Sequence, residues 1–203
     1  DYIDLYQMHH VYQDSPWEEL WQAMELLVQQ GKVLYVGSSN FAGWHIVKAN
    51  ENAKARHFLG LVSEQSKYSL LERTVEMDVL PACLDYGLGV IPWSPLASGV
   101  LGGPAEETGR RTEGWAKEVY EKKGDQLNKW YGLCKDLGEQ PADAALAWLL
   151  HQPAVTAPII GPRTLAQLDG SLRAIEIKLD ADTLKKIDEI FPGFRTSPEH
   201  YAW

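Results

Sequence analysis

Five apolar segments of the 203-residue chain end in side chains that can do chemistry: His9, Ser39-Asn40, Gln65, Trp93-Ser94 and Gly161-Pro162-Arg163. If the segments are parallel strands, a ligand meets residues just past their C-terminal ends. The set holds amides, hydroxyls, one imidazole and one large aromatic, with few carboxylates. It suits the gripping of a planar, amide-bearing ring better than hydrolysis. Glycoside hydrolysis needs two carboxyls flanking one bond. Glu64 is the one acid near a strand end, and strand alternation turns it away from Gln65, so that chemistry ranks low. His9 and His10 do not read as metal ligands, because neighbouring strand residues point to opposite faces and no carboxylate spacing supports them.

The elements that must carry these residues alternate in type. Asp1 to His9 reads as a strand, with Ile3, Leu5, Gln7 and His9 on one face. Ser15-Pro16 opens a helix with Leu20, Met24, Leu27 and Val28 at helical spacing, and Gly31 ends it. Further strands are expected at Val33–Ser38, Leu61–Ser66, Gly89–Trp93 and Thr156–Gly161. Helices are expected at Ala42–Arg56, Thr74–Tyr86, Asp125–Leu137, Ala142–His151, Thr164–Ala174 and Asp180–Phe191. Trp21 and Trp148 are expected to pack helices against the sheet, and residues 104–124 to form a mobile loop.

Strands joined by helical crossovers pair in parallel, and strands apolar on both faces suit a sheet covered by helices. Five strand-helix units at roughly 41 residues each imply roughly 325 for eight, within the range of a closed barrel. The expectation is an α/β fold: residues 1–203 as one partial domain, the C-terminal five units of a (β/α)8 TIM barrel with the N-terminal units absent. The other candidate, a doubly wound sheet, would carry a Gly-rich turn after its first strand. His9-His10-Val11-Tyr12 stands there instead.

Composition narrows the function classes. With 45% hydrophobic and 23% charged residues the chain can bury a core. Nineteen Lys and Arg against 28 Asp and Glu give a formal charge of −9, which argues against nucleic-acid or anionic-membrane partners. No apolar run approaches the ~20 residues that span a bilayer, and the first residues do not read as a signal peptide. Cys83 and Cys134 make no metal spacing and read as free thiols of a cytoplasmic protein. Gly99, Gly102 and Gly103 are not followed by the Lys-Ser/Thr of a nucleotide P-loop.

Asp1-Tyr2-Ile3-Asp4-Leu5-Tyr6-Gln7-Met8-His9, Val36-Gly37-Ser38-Ser39-Asn40-Phe41, Glu64-Gln65, Pro92-Trp93-Ser94-Pro95-Leu96-Ala97-Ser98-Gly99 and Ile160-Gly161-Pro162-Arg163-Thr164 resemble, in order, segments of the aldo-keto reductase superfamily. The Trp93-Ser94-Pro95-Leu96 form is similar to bacterial reductases related to potassium-channel β subunits. The resemblance implies reduction of aldehydes or ketones by hydride transfer from NADPH. It makes His9 the histidine that hydrogen-bonds the substrate carbonyl. Ser39, Asn40 and Gln65 become the clamp on the nicotinamide carboxamide, and Trp93 the aromatic stacked on the ring. Ser94, Leu96 and Gly99 would form the loop over the pyrophosphate, and Arg163 and Gln167 the segment around the adenosine. Arg163 beside the helix start at Thr164 offers a bidentate partner to a 2′-phosphate, which favours NADPH.

The resemblance also implies residues that this chain lacks. The family's proton donor is a tyrosine assisted by a lysine and an aspartate, and no segment here matches them. The 203-residue chain alone is therefore expected to be inactive and its full-length parent active. Gly170 and Ser171 replace the Glu and Asn often found near the adenine amino group. Partners would be a small carbonyl substrate and, through exposed strand edges, other copies of the chain. A second reading is a cofactor-holding regulatory barrel of the channel β-subunit kind, with little turnover.

Overall fold

The computed structural model describes residues 1–11, 14–104 and 114–202. The chain divides into two compact units. The first comprises Asp1–Ser66, Val75–Ile91 and Arg195–Trp203; the second comprises Lys67–Thr74 and Pro92–Phe194.

The first unit holds a four-stranded parallel sheet of β1 (Ile3–Met8), β2 (Val33–Ser39), β3 (Leu61–Gln65) and β4 (Gly89–Val90). Their order is β1-β2-β3-β4, so each strand lies beside its successor in sequence. A doubly wound sheet reverses direction at a switch point, and this sheet contains no such reversal. Three helices, α1 (Trp17–Gln29), α2 (Gly43–Ala55) and α3 (Val79–Tyr86), make the crossovers. A 3-10 turn at Thr74–Glu76 precedes α3, which shortens the expected helix, and Gly87 ends it at φ 69°.

Val33, Val36, Ile46, Ala49, Leu61, Leu80, Cys83 and Val90 are buried in this unit. Trp21 is buried too, and its indole N–H donates to the Ala49 carbonyl at 2.9 Å, tying α1 to α2. Gly37 sits where a Cβ would come 2.3 Å from Ser63 Oγ and 3.2 Å from Leu5 and Gln7. That crowding explains a glycine in mid-strand. The sheet is not covered throughout as expected: Tyr2, Ile3 and Tyr6 along β1, and Leu34 and Tyr35 of β2, are exposed. Strand β1 is at the sheet edge and pairs only with β2.

The second unit is helical: α4 (Gly114–Leu137), α5 (Pro141–Leu150), α6 (Leu165–Arg173) and α7 (Ala181–Ile190). Helix α5 is buried continuously from Ala144 to Leu149, as an all-round apolar helix requires. Tyr68 packs on Trp148 and Trp130 on Phe191, at centroid distances of 5.3 and 5.9 Å. Arg73 crosses this core, donating to Asp188 and to the Phe191 carbonyl, both at 2.6 Å, with its guanidinium 5.0 Å from the Trp148 ring.

Three sequence expectations change. Thr156–Gly161 is not a strand; among the described residues its pairing is Ile159 N–H donating to the Pro92 carbonyl at 2.8 Å. Pro158 and Pro162 lack N–H groups and leave little ladder to form. Strand β4 stops at Val90, where Pro92 and Pro95 act likewise, and only a parallel bridge, Lys67 to Trp93, continues the pairing direction. Residues 114–124 are helical rather than loop: Ala116 and Val119 are buried one turn apart, and α4 kinks at Lys123 before Gly124. The remainder of that expected loop, 105–113, lies outside the described residues, as does Tyr12. A further short helix, α8 (Ser197–Tyr201), closes the first unit.

Candidate functional site

In the first unit, the ends of β1, β2 and β3 bring together His9, Ser39, Asn40 and Gln65. Ser39 Oγ donates to the Gln65 carbonyl at 2.8 Å, and Asn40 N–H donates to the same oxygen at 3.1 Å. The Asn40 side-chain amide donates to Ser39 Oγ at 2.9 Å and to the His9 carbonyl at 3.3 Å. These bonds link three strand tips through one asparagine. The register that makes this possible pairs Gln7 with Gly37 and Ser39 with Gln65.

Asn40 stands at φ 57°, a left-handed conformation that asparagine tolerates better than most residues. The turn around it is pinned at successive amides. Phe41 N–H donates to Glu64 Oε1 at 3.1 Å, Ala42 N–H to His45 Nδ1 at 3.3 Å, and Gly43 N–H to Asp78 Oδ2 at 2.8 Å. Burial lowers the His45 pKa, with Lys48 acting in the same direction and Asp78 against it, which keeps the acceptor nitrogen unprotonated.

Glu64 is fully buried, so it cannot meet a ligand in the manner of a glycosidase acid. Burial raises its pKa, and donors from Ser38, Ser66, Phe41 and Asn40 pull it back. The rings of His9 and His10 lie 4.1 Å apart, not on opposite faces as alternation predicts, because β1 ends at Met8. Among the described residues no group of three or more His, Cys, Asp or Glu could hold a metal ion.

In the second unit, Trp93, Ser94, Leu96 and Gly99 lie on one segment whose backbone repeatedly enters the left-handed region. Ser94, Ala97 and Ser98 have φ of 55°, 48° and 57°, and Gly99 has 90°. Within it Ala97 N–H donates to the Ser94 carbonyl and Gly99 N–H to the Leu96 carbonyl, each at 2.9 Å. Helix α4 holds the segment in place. Trp130 Nε1 donates to the Leu101 carbonyl at 3.1 Å, Tyr131 OH to Val100 at 2.7 Å and to Gly103 at 3.0 Å, and Tyr120 OH to Gly103 at 2.7 Å. Lys67 lies with its ammonium 5.8 Å from the centre of the Trp93 ring and 5.4 Å from that of Trp115.

Arg163 and Gln167 flank the start of α6 and are exposed. Thr164 caps the helix, its Oγ1 accepting Gln167 N–H at 3.2 Å, while Gln167 Oε1 accepts Arg163 N–H at 2.7 Å. This reciprocal pair fixes the backbone from which the Arg163 side chain projects. The bond from Ile159 to Pro92 joins the segments leading to Arg163 and to Trp93.

Sequence reasoning missed the supports: Glu64 and Asp78 under the Ser39-Asn40 turn, and Tyr120, Trp130 and Tyr131 behind the Ser94–Gly103 segment. A glutamate within an apolar strand was the available signal, since a buried acid must be offset by donors. Nothing in the spacing of the aromatics distinguished those three from core residues.

The chain matches the sequence profile of the Aldo/keto reductase family over residues 1–191. It is 56% identical over 206 residues to the uncharacterized oxidoreductase YrpG of Bacillus subtilis, covering 100% of this chain and 63% of that protein. Versiconal hemiacetal acetate reductase of Aspergillus parasiticus is 29% identical, over 96% of this chain and 60% of its own length. A putative voltage-gated potassium channel subunit beta of Schizosaccharomyces pombe is 32% identical, over 93% and 59%. The chain thus spans about three fifths of the length of these relatives, 59% to 63%.

Proposed function

The chain belongs to the aldo/keto reductase family, and from that premise we propose that it supplies the dinucleotide-holding part of an oxidoreductase that reduces aldehydes or ketones with NADPH. The observation that carries this reading is the hydrogen-bonded cluster of His9, Ser39, Asn40 and Gln65 at three neighbouring strand tips. Bound NADPH would supply hydride from its nicotinamide ring to the carbonyl carbon.

This donor and acceptor set fits a carboxamide, which needs both kinds of partner at fixed angles. Ser39, Asn40 and Gln65 hold that group and so orient the ring. His9 directs an imidazole N–H toward the substrate oxygen, where negative charge grows during reduction. The family resemblance gives Trp93 the role of an aromatic face for the ring and the Ser94–Gly99 segment that of the loop over the pyrophosphate. Arg163, at the capped start of α6, takes the 2′-phosphate that separates NADPH from NADH, with Gln167 fixing its backbone.

The unreversed order β1-β2-β3-β4 supports a (β/α)8 barrel, in which these strands are consecutive staves. No segment of the 203 residues matches the family's tyrosine, lysine and aspartate. We therefore expect the 203-residue chain alone to be inactive and the full-length protein to turn over. The two buried free thiols suit a reducing compartment such as the cytoplasm, and the exposed β1 edge favours self-association.

The test is label transfer. The full-length protein, given NADPH deuterated at the nicotinamide C4 and a panel of aldehydes and ketones, should place deuterium on the carbinol carbon. Absence of transfer to every member would overturn the reductase reading. If tight dinucleotide binding persisted without transfer, a regulatory cofactor-holding role would replace it, in line with the channel β-subunit relative.

A further inference from the structure

We propose that Glu64 is a positioning residue, its buried carboxylate locking the turn that carries Ser39 and Asn40 and thereby setting the grip on the nicotinamide end of the dinucleotide. The inference rests on the cofactor reading above and assigns a role to a residue that does not touch the ligand.

Glu64 is fully buried in β3, and among the described residues it forms no ion pair. A carboxylate removed from water costs several kcal/mol unless its oxygens are satisfied. Here they are satisfied by donors from the neighbouring strand tip. Oε2 accepts Ser38 Oγ at 2.5 Å; Oε1 accepts Ser66 Oγ at 2.6 Å and Phe41 N–H at 3.1 Å.

The partners bracket the clamp. Ser38 precedes Ser39, and Phe41 follows Asn40, so one side chain fixes both ends of the two-residue clamp. Between them Asn40 is held at φ 57°, a conformation that persists only where its surroundings over-determine it. An apolar residue at position 64 would leave the Phe41 N–H and the Ser38 and Ser66 hydroxyls without this acceptor. The acid is explained by the turn it organises.

The experiment uses the full-length protein with Glu64→Leu, Glu64→Gln and Ser38→Ala. Readouts are the Kd for NADPH, the Kd for adenosine 2′,5′-bisphosphate, kcat and KM for an aldehyde, and the Tm. Glutamine can still accept Phe41 N–H through its oxygen and donate its amide to Ser38 Oγ. Glu64→Leu should weaken NADPH binding about tenfold and lower kcat by at least as much, while the adenosine bisphosphate Kd stays within about twofold. Glu64→Gln should recover most of both losses. Should Glu64→Leu fail to fold, Ser38→Ala carries the test, with a loss of about threefold confined to NADPH.

Unchanged NADPH binding and kcat in Glu64→Leu, or in Ser38→Ala where that variant carries the test, overturn the inference. So does an equal loss for both ligands, which marks general damage to the fold, or a failure of Glu64→Gln to rescue. A wild-type protein that binds adenosine bisphosphate and NADPH equally well, or neither, overturns the cofactor reading itself and is thereby told apart from a failure at Glu64.

Discussion

Gly43 donates its backbone N–H to Asp78 Oδ2 at 2.8 Å, and a Cβ built on Gly43 would lie 2.4 Å from the Asp78 carbonyl oxygen. The first turn of α2 and the start of α3 therefore touch backbone to backbone, and only glycine fits between them. Gly43→Ala should cost about 1–3 kcal/mol, the range for overpacking a closed contact. Urea denaturation of the full-length protein reads the loss directly. A midpoint equal to wild type would show that the contact relaxes at no cost.

Tyr131 OH holds the Val100 carbonyl at 2.7 Å and the Gly103 carbonyl at 3.0 Å. Gly103 keeps the Tyr120 hydroxyl when Tyr131 is changed, so the loss falls mainly on Val100. Tyr131→Phe should loosen the Ser94–Gly103 segment at about 1 kcal/mol. The expected signature is an NADPH Kd weakened about fivefold, with faster limited proteolysis within the segment. Unchanged affinity and proteolysis would mean that the segment is held by other contacts.

Much of this organisation is legible in the sequence, and the failures have physical causes. Strands β2 and β3 and helices α1, α2, α6 and α7 follow from apolar spacing and from caps such as Thr164 and Asp180. The His9, Ser39, Asn40 and Gln65 cluster follows from reading strand tips together. Thr156–Gly161 looks like a strand by hydropathy, but Pro158 within it and Pro162 just after it lack the donors that hydropathy does not register. Helix α4 hides its start because most residues between Gly114 and Gly124 are polar, and two buried positions carry that half. An acid in an apolar strand signals a buried support, but its partner Phe41 is not legible because the two meet only after β2 and β3 are in register.

The Glu64 carboxyl also sets a pH dependence of stability. Burial pushes its pKa above the ordinary 4.5, with the Ser38, Ser66, Phe41 and Asn40 donors opposing. A group raised in the folded state contributes stability that is complete below its unfolded pKa and is lost as pH rises through the folded value. Cys83 of α3 is close enough to feel the Glu64 charge, and its thiol, itself pushed up to about 12 chiefly by burial, stays neutral. Glu64→Gln has no carboxyl to titrate. The stability of wild type relative to Glu64→Gln should therefore decline as pH rises from the ordinary carboxyl value of 4.5 in urea titrations of the full-length protein. Parallel profiles would contradict this.

Cys83 and Cys134 are both buried, and burial pushes each thiol up to about 12. Reactivity belongs to the thiolate, so both should resist a disulfide reagent at neutral pH while the protein is folded. Unfolding in urea should release both at once. Counting modified cysteines by intact-mass spectrometry before and after denaturation distinguishes this from a surface thiol, which would react within seconds in the folded protein.

The account turns on where a dinucleotide sits. A crystal structure of the full-length protein grown with NADPH measures this directly. The carboxamide of the nicotinamide should lie within hydrogen-bond distance of Ser39, Asn40 and Gln65. A dinucleotide bound away from the ends of β1, β2 and β3, or bound there with its adenine end at Asn40, would contradict it.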